Sequence, residues 1–146
     1  LDIYGRIDNG YKKRFDDVML RVDASISYKG TVSYEQSVEA IMEYYALLFP
    51  TYWDGEGFPG TIVDAFSAGL PVIATDWNCN SEIIKNGKTG ILYPNKEITN
   101  LKDAIKWLIN NRMKIQEMKK NCIDAAKKYQ PDKYIQQIIN EIKRVS

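Results

Sequence analysis

The sequence contains no histidine among its 146 residues. This absence excludes catalysis by Ser-His-Asp or Cys-His groups, and every histidine-ligated metal site, within this stretch of chain. Cysteine is nearly absent too, since Cys79 and Cys122 are the only two and lie too far apart to form a CxxC motif. We expect two free thiols in a reducing cytoplasm, with a single disulfide as the alternative.

Extremes of charge and hydrophobicity are also missing. The formal net charge is +1, which gives no reason to expect a nucleic acid or another polyanion as a partner. No apolar run approaches the roughly 20 residues of a membrane span. With 45% hydrophobic and 27% charged residues, the chain has the composition and the length of one ordinary globular domain.

Basic residues are frequent near the C-terminus, where they are interleaved with apolar positions. They are Lys119, Lys120, Lys127, Lys128, Lys143 and Arg144. This spacing favours the solvated faces of packed helices, and a basic patch that faces a membrane is the alternative.

The first residues have the pattern of a secondary-structure element inside a domain. The chain begins at Leu1 rather than at a methionine, and residues 1–5 have the pattern of a strand that meets a turn. We therefore expect a C-terminal fragment of a longer protein.

Strand and helix patterns alternate along most of the chain. The predicted strands cover residues 1–5, 25–28, 46–49, 71–75 and 90–93, with a turn at 29–30. The predicted helices cover residues 11–22, 34–45, 60–69, 80–85, 98–110, 112–129 and 132–144. The run at 46–49 is continuously apolar, as in a strand buried on both faces, and residues 71–75 are predicted to form another buried strand. The alternation predicts an α/β fold, a parallel sheet of about five strands with helices on both faces.

Ligands of an open parallel sheet bind outside the carboxyl ends of the strands. The segments to inspect are therefore residues 5–6, 29–31, 50–60, 76–81 and 94. The third is the richest in turn-forming and charged residues. Pro59 suits the first turn of a helix, so we expect the N–H groups of Gly60, Thr61 and Ile62 to point out of the helix start. The helix dipole favours an anion there, and Gly57 and Gly60 allow a ligand to approach the backbone closely.

Two acidic residues flank this helix start. Glu56 lies just before it, and its carboxylate can accept hydrogen bonds from two neighbouring hydroxyls, as a sugar offers; a solvated turn acid is the alternative. Asp64 falls opposite the apolar arc formed by Ile62, Ala65 and Phe66. An exposed acid that the helix dipole stabilises is the alternative for Asp64.

Longer motifs carry a resemblance to a known family. They are EGFPGTIVDAFSAGLPVIATD at residues 56–76, NSEII at 80–84 and NGKTGIL at 86–92. This pattern resembles the C-terminal, Rossmann-like domain of retaining glycosyltransferases with the GT-B fold. More narrowly it is similar to the group 1 glycosyltransferases, which use nucleotide-activated sugars and include enzymes of bacterial polysaccharide assembly. The family marker is two glutamates separated by seven residues, and here Glu56 and Asp64 take those places, with the second shortened to aspartate.

The resemblance implies a role for each part of the glycine-rich segment. Glu56, to which we assign the catalytic role, would hydrogen-bond hydroxyls of the donor sugar. Asp64 would hold the ribose hydroxyls. The backbone that meets the sugar and the diphosphate would be that of Gly57, Phe58, Pro59, Gly60 and Thr61. The family often has glycine where this chain has Pro59, which removes one backbone donor.

The resemblance also implies roles nearer the start of the chain. The backbone of Lys29, Gly30 and Thr31 would read the nucleobase. The family's arginine and lysine that neutralise the diphosphate would lie upstream of Leu1, so Arg6 is the one early candidate that remains.

Taken together, these implications describe residues 1–146 as a single nucleotide-sugar-binding domain of a retaining, hexosyltransferase-like enzyme. The donor would be a UDP or GDP sugar, and a missing N-terminal domain would bind a glycan or lipid-linked acceptor. We expect no cofactor and no metal, since the chain has no DxD motif. We expect a role in bacterial polysaccharide biosynthesis, no nucleic acid partner, and a cytoplasmic location with peripheral contact at the inner face of the membrane as an option. The isolated fragment should be inactive.

A non-catalytic nucleotide-binding or regulatory module derived from such an enzyme is the main alternative, and Asp64 is the feature that favours it. A nucleotide-sugar epimerase of similar architecture would depend on histidine, which is absent. A sugar phosphorylase would need a lysine for pyridoxal phosphate in a setting that the sequence does not show.

Overall fold

The computed structural model describes residues 1–94 and 97–145 and divides into two compact units, one ending at Ala40 and one beginning at Ile41. The elements before residue 42 are β1 (Asp2–Tyr4), α1 (Lys12–Met19), β2 (Ser27–Gly30), a 3₁₀ turn (Tyr34–Gln36) and α2 (Ser37–Ile41). β1 and β2 pair in parallel, with Asp2 opposite Ser27 and a register shift after Ile3.

The second unit contains a parallel three-stranded sheet in the order β3-β4-β5. Its elements are β3 (Leu47–Phe49), α3 (Gly60–Ser67), β4 (Val72–Thr75), α4 (Asn80–Ile83), β5 (Gly90–Tyr93), α5 (Ile98–Asn110), α6 (Arg112–Ala126), a 3₁₀ turn (Lys127–Tyr129) and α7 (Pro131–Val145). The central strand, β4, is buried along its whole length. Leu47 and Gly90 lie on either side of Val72.

The core of this unit lies on both faces of β4, because successive side chains of a strand point to opposite faces. One cluster contains Val72 and Ala74 together with Ile62, Ala65, Phe66, Leu70, Ile83, Ile84 and Cys122. The other contains Ile73 together with Tyr93, Ala104, Leu108, Ile115 and Met118. Helices α3 and α6 contribute to the first cluster, and α5 and α6 to the second, so helices cover both faces of this sheet.

The α/β fold with five parallel strands flanked by helices is confirmed, and its strands are divided between a sheet of two and a sheet of three. The predicted burial on both faces holds for β4, whereas β3 is half-buried. The prediction that residues 1–146 form a single nucleotide-sugar-binding domain stays a prediction.

Several boundaries differ from the sequence-based expectation, and two of them change the local structure. The helix predicted over residues 34–45 is a 3₁₀ turn followed by α2, which ends at Ile41. The chain then turns, with the Tyr44 N–H donating to the Ile41 carbonyl at 3.0 Å, and this turn brings Tyr44 rather than Tyr45 against the core. The turn predicted at residues 29–30 belongs instead to β2, where Gly30 lies opposite Tyr4.

The C-terminal helix α7 has the apolar spacing of a core-facing helix, but these side chains are exposed. They are Tyr134, Ile135, Ile138, Ile142 and Val145. Among the basic residues near the C-terminus, Lys119 lies 5.8 Å from the ring centroid of Tyr45. The others are exposed, as expected for solvated helix faces.

Both cysteines are free thiols, as predicted. Cys122 is buried, its thiol contacts the Thr89 carbonyl at 3.3 Å, and burial raises its pKa to about 12. Within the described ranges, no helix combines the length and the apolar character required to cross a membrane.

Candidate functional site

The loop that carries Glu56 connects β3 to α3 and begins at the carboxyl end of the sheet. Its first residues are pinned to the neighbouring strand, because the hydroxyl of Thr75, at the end of β4, donates to the Thr51 carbonyl at 2.6 Å. Thr75 is fully buried. The start of the loop is therefore anchored to the core.

Thr51 also contacts the carboxylate of Glu56. The Thr51 hydroxyl donates to Glu56 Oε2 at 3.3 Å, and it accepts from the Trp53 N–H at 3.3 Å. The Glu56 N–H donates to the Trp53 carbonyl at 3.1 Å, which closes a turn. Glu56 is half-buried, and this turn presents its carboxylate with one oxygen oriented by a hydroxyl.

Residues that follow β4 hold the same loop from its other side. The Trp77 indole Nε1 donates to the Trp53 carbonyl at 3.2 Å, and the Trp77 ring meets the edge of Tyr52 with centroids 6.0 Å apart. The Asn78 side-chain nitrogen lies within hydrogen-bonding distance of several carbonyls of the loop. The segments that follow β3 and β4 thus contact each other around Glu56.

The three glycines of the loop have different surroundings. A Cβ at Gly55 would lie 2.7 Å from the ring of Trp53, so a side chain there would force the Trp53 ring to shift. A Cβ at Gly57 or at Gly60 would meet no protein atom within 4 Å. Packing does not require glycine at these two positions, and the space beside them is open.

Helix α3 begins at Gly60, and Pro59 is the residue before its first turn. No side chain caps this start within the described part of the chain. The Ile62 N–H donates to the Pro59 carbonyl at 3.0 Å, so the expectation that this group points out of the helix unbonded is wrong. A tight first turn consumes it, which leaves the N–H groups of Gly60 and Thr61 at the positive end of the helix dipole.

Asp64 lies in the second turn of α3 and is half-buried. Ile62, Ala65 and Phe66 are fully buried, so the predicted core face of the helix is confirmed. Within residues 1–94 and 97–145 we find no hydrogen bond or ion pair to the Asp64 carboxylate, and the fold places no demand on its charge.

The Phe58 side chain packs on the C-terminal part of the unit. Its ring is 59% exposed and lies 5.4 Å from the ring of Tyr129, at an interplanar angle of 55°. Burial raises the pKa of the Tyr129 hydroxyl. This ring contact holds the Phe58 side chain against the segment that follows α6.

The remaining predicted site residues belong to the first unit and lie at the carboxyl ends of its two strands. Arg6 is exposed in the segment after β1. Lys29 is in β2 and forms a 3.8 Å ion pair with Asp2. Gly30 ends β2 with a φ of 79°, which favours glycine, and Thr31 follows it in an exposed position.

Several residues around Glu56 received no role from the sequence. They are Thr51, Thr75, Trp77, Asn78 and Tyr129. The strand-end rule does single out residues 50–60 and 76–81. It does not say which side chains within them meet, because the contacts of Thr75 and Trp77 join residues 24 positions apart along the chain. Among the described residues, no group of three or more His, Cys, Asp or Glu side chains is placed to hold a metal ion.

Comparison with known proteins gives a family match. The model for the family "Glycosyl transferases group 1" matches residues 1–129. The D-rhamnosyltransferase WbpZ of Pseudomonas aeruginosa is 24% identical over 99 residues, which are 67% of this chain and 26% of that protein.

Solved structures agree with this match at the level of the fold. The sucrose-phosphate synthase of Thermosynechococcus elongatus has a TM-score of 0.83 at 16% identity, covering 100% of this chain and 39% of that chain. HepE of Anabaena, solved in complex with UDP-glucose, has a TM-score of 0.84 at 19% identity, covering 98% of this chain and 40% of that chain. The chain therefore spans well under half the length of these relatives.

Proposed function

The chain belongs to the glycosyl transferases group 1 family, and we propose that it is the donor-binding domain of a retaining glycosyltransferase. The sugar would move from a nucleotide diphosphate sugar, with UDP or GDP as the nucleotide, to a glycan or lipid-linked acceptor. A further domain of a longer protein would bind the acceptor, so that the 146 residues alone bind nucleotide weakly and catalyse no transfer.

The observation that carries this proposal is the combination of a carboxylate and a helix start around one open space. Glu56 presents a carboxylate whose Oε2 is oriented by Thr51. Beyond it, Gly57 and Gly60 have open space where a side chain would be. The helix start favours an anion, whereas the carboxylate favours hydroxyl donors, and a sugar diphosphate offers both groups in one molecule.

In this proposal Glu56 accepts hydrogen bonds from hydroxyls of the donor sugar, and these bonds strengthen as positive charge develops on the sugar ring. The N–H groups of Gly60 and Thr61 face the diphosphate and stabilise the negative charge that the leaving group acquires. Asp64 takes the ribose hydroxyls; its carboxylate is available because the fold does not engage it.

Residues of the first unit have two further proposed roles in donor binding. The backbone of Lys29, Gly30 and Thr31 would read the nucleobase, and Arg6 would contribute positive charge toward the diphosphate. The Lys29 ion pair with Asp2 is long and partly exposed, at 3.8 Å with side chains 45% and 23% exposed, so it contributes little stability.

The setting of the reaction is also part of the proposal. We place the enzyme in the cytoplasm, in bacterial polysaccharide biosynthesis and without a metal or another cofactor, and peripheral contact at the inner face of the membrane is an option. A direct check is donor turnover by the complete enzyme in the presence of EDTA, which we expect to leave the rate unchanged. Loss of turnover that Mg²⁺ restores would contradict the metal-independent mechanism.

Titration of the protein with UDP-glucose, GDP-mannose and ADP-glucose tests the function. Trp53 lies in the loop that carries Glu56, and Trp77 donates a hydrogen bond to it. Ligand binding at this loop should therefore change the intrinsic tryptophan fluorescence. We expect one of the three donors to do so saturably. If binding occurs but the complete enzyme transfers no sugar to any acceptor, the regulatory module would be the better description; if none of the three binds, the proposal is wrong.

A further inference from the structure

Asn78 has a left-handed backbone conformation, which is uncommon for a residue other than glycine. Its φ is 45°, and it is the one non-glycine residue with a positive φ in the described ranges. Asparagine adopts this left-handed region several times more readily than most residues do, although at some cost relative to glycine. A tight turn after β4 thus contains a residue with a short polar side chain where glycine would fit with less strain.

The side chain of Asn78 explains why an asparagine suits this turn. Its Nδ2 lies 3.4 Å from the Trp53 carbonyl oxygen, 3.4 Å from that of Asp54 and 3.2 Å from that of Glu56. All three neighbours are acceptors, so only the nitrogen of the amide can face them. Two hydrogens are shared among three oxygens, and each bond is individually weak, but all three act on the same turn.

Two other hydrogen bonds reach this turn, since the Trp77 indole Nε1 and the Glu56 N–H donate to the Trp53 carbonyl at 3.2 Å and 3.1 Å. Trp53 is 67% exposed, and the segment between Thr51 and Gly60 lies outside every helix and strand. The Asn78 amide is the group that contacts three carbonyls of the turn, including that of Glu56. The Thr51 hydroxyl holds Glu56 Oε2 at 3.3 Å. Glu56 is therefore fixed at its backbone by Asn78 and at its side chain by Thr51.

We propose that Asn78 is a positioning residue for Glu56: its amide holds the Trp53–Glu56 turn in the conformation in which the carboxylate meets the donor sugar. This inference rests on the proposed function. A carboxylate held in place before the ligand arrives loses less freedom on binding, so the sugar contact becomes stronger.

The test compares affinity for a nucleotide sugar with affinity for the bare nucleotide, in the full chain. The first probe is whichever of UDP-glucose, GDP-mannose and ADP-glucose binds the wild type best. The second probe is the nucleoside diphosphate of that donor. Asn78→Gly keeps the positive φ accessible and removes the amide. Asn78→Asp keeps the shape but places a carboxylate against three carbonyl oxygens. Asn121→Ala is the matched control, because it removes an amide bond to the Lys88 carbonyl at 3.1 Å elsewhere in the unit.

We expect Asn78→Gly to weaken binding of the nucleotide sugar about five- to tenfold, and Asn78→Asp to weaken it at least as much. Binding of the nucleoside diphosphate should stay within about twofold of wild type, because the turn acts on the sugar contact. Asn121→Ala should change neither affinity. Equal losses for the two probes would mean that Asn78 supports the fold in general, and would overturn the inference.

A double-mutant cycle separates this inference from the proposed function. In a Glu56→Ala background, Asn78→Gly should cause no further loss of nucleotide-sugar affinity, since the group that it positions is gone. A further loss of the same size would overturn the positioning role while the effect of Glu56→Ala still supports the site. If Glu56→Ala itself changes nothing, the proposed function fails, and the inference fails with it.

Discussion

Replacing Gly60 with alanine should weaken ligand binding without lowering the stability of the fold, because packing does not require a glycine at this position. Gly60 is the first residue of α3, and a Cβ there would meet no protein atom within 4 Å. Its φ is not in the left-handed region that favours glycine. Gly60→Ala should therefore leave the free energy of unfolding unchanged or raise it by about 0.5 kcal/mol, since alanine reduces the entropy of the unfolded chain.

The same methyl group would occupy the open space in which we place the diphosphate. If it prevents one backbone N–H from bonding a charged phosphate oxygen, the loss is about 1.5–3 kcal/mol. That loss corresponds to a roughly 10- to 150-fold weaker affinity for the nucleotide sugar and for its nucleoside diphosphate alike.

Gly69, at the other end of the same helix, gives the matched contrast. Its φ is 70°, and a Cβ there would lie 3.3 Å from Ile123 Cδ1. Gly69→Ala should lower the free energy of unfolding by about 1–2 kcal/mol, the cost of a left-handed conformation for an L-residue. Urea unfolding and calorimetric titration of both variants measure the two quantities. If Gly60→Ala binds the donor as wild type does, the start of α3 is not the diphosphate site.

Three further predictions concern the loop and the core. Thr51→Val removes the hydroxyl that orients Glu56 Oε2 and should weaken nucleotide-sugar binding about fivefold; Thr99→Val, which removes a 3.5 Å contact to the Glu97 carboxylate, should not, and equal effects would count against the orientation of Glu56. Phe66→Ala removes a fully buried ring and should lower the free energy of unfolding by about 3–5 kcal/mol in urea; a loss below about 1 kcal/mol would contradict the packing of α3 on the sheet. Because burial raises the pKa of Cys122 from 9.0 to about 12, folding disfavours the thiolate. Its contribution to stability is present below pH 9 and is lost between about pH 9 and 12 as the unfolded chain gains thiolate. The pH dependence of urea unfolding should therefore flatten over that range in Cys122→Ala relative to wild type, and identical curves would contradict it.

The periodicity of apolar residues correctly predicted elements whose buried face can be recognised from their own sequence. The mostly apolar run at residues 71–75 contains β4, which is buried along its length. The spacing of Ile62, Ala65 and Phe66 identified the core face of α3. In both cases the contacts that decide the conformation involve one face of one element, and that face is visible in the sequence.

Periodicity was misleading where apolar spacing continued without burial. Residues 34–45 keep a helical pattern, yet α2 ends at Ile41 because a turn that buries Tyr44 displaces the continuing helix. Helix α7 has the predicted extent almost to the residue. Its apolar side is nevertheless exposed, because spacing predicts an amphipathic face and not what covers it.

The sequence indicates the residues at the centre of the candidate site but not the residues that hold them in place. The residues Glu56, Gly57 and Gly60 stand out in the sequence because acids and glycines are crowded into one short segment. The contribution of Asn78 is not visible there, since it depends on a backbone φ of 45° and on carbonyls more than 20 residues away. Likewise, the bonded Ile62 N–H reflects a tight first turn that no composition rule indicates.

The most direct test of the account is the kcat/KM of Glu56→Ala in the complete enzyme, measured for the donor sugar. If Glu56 contacts the sugar in the transition state, its removal should cost about 2–4 kcal/mol, a roughly 30- to 1,000-fold fall in kcat/KM. Urea unfolding should show that the variant is folded, since Glu56 is half-buried in a loop outside the core. A folded variant with unchanged kcat/KM would remove Glu56 from the site.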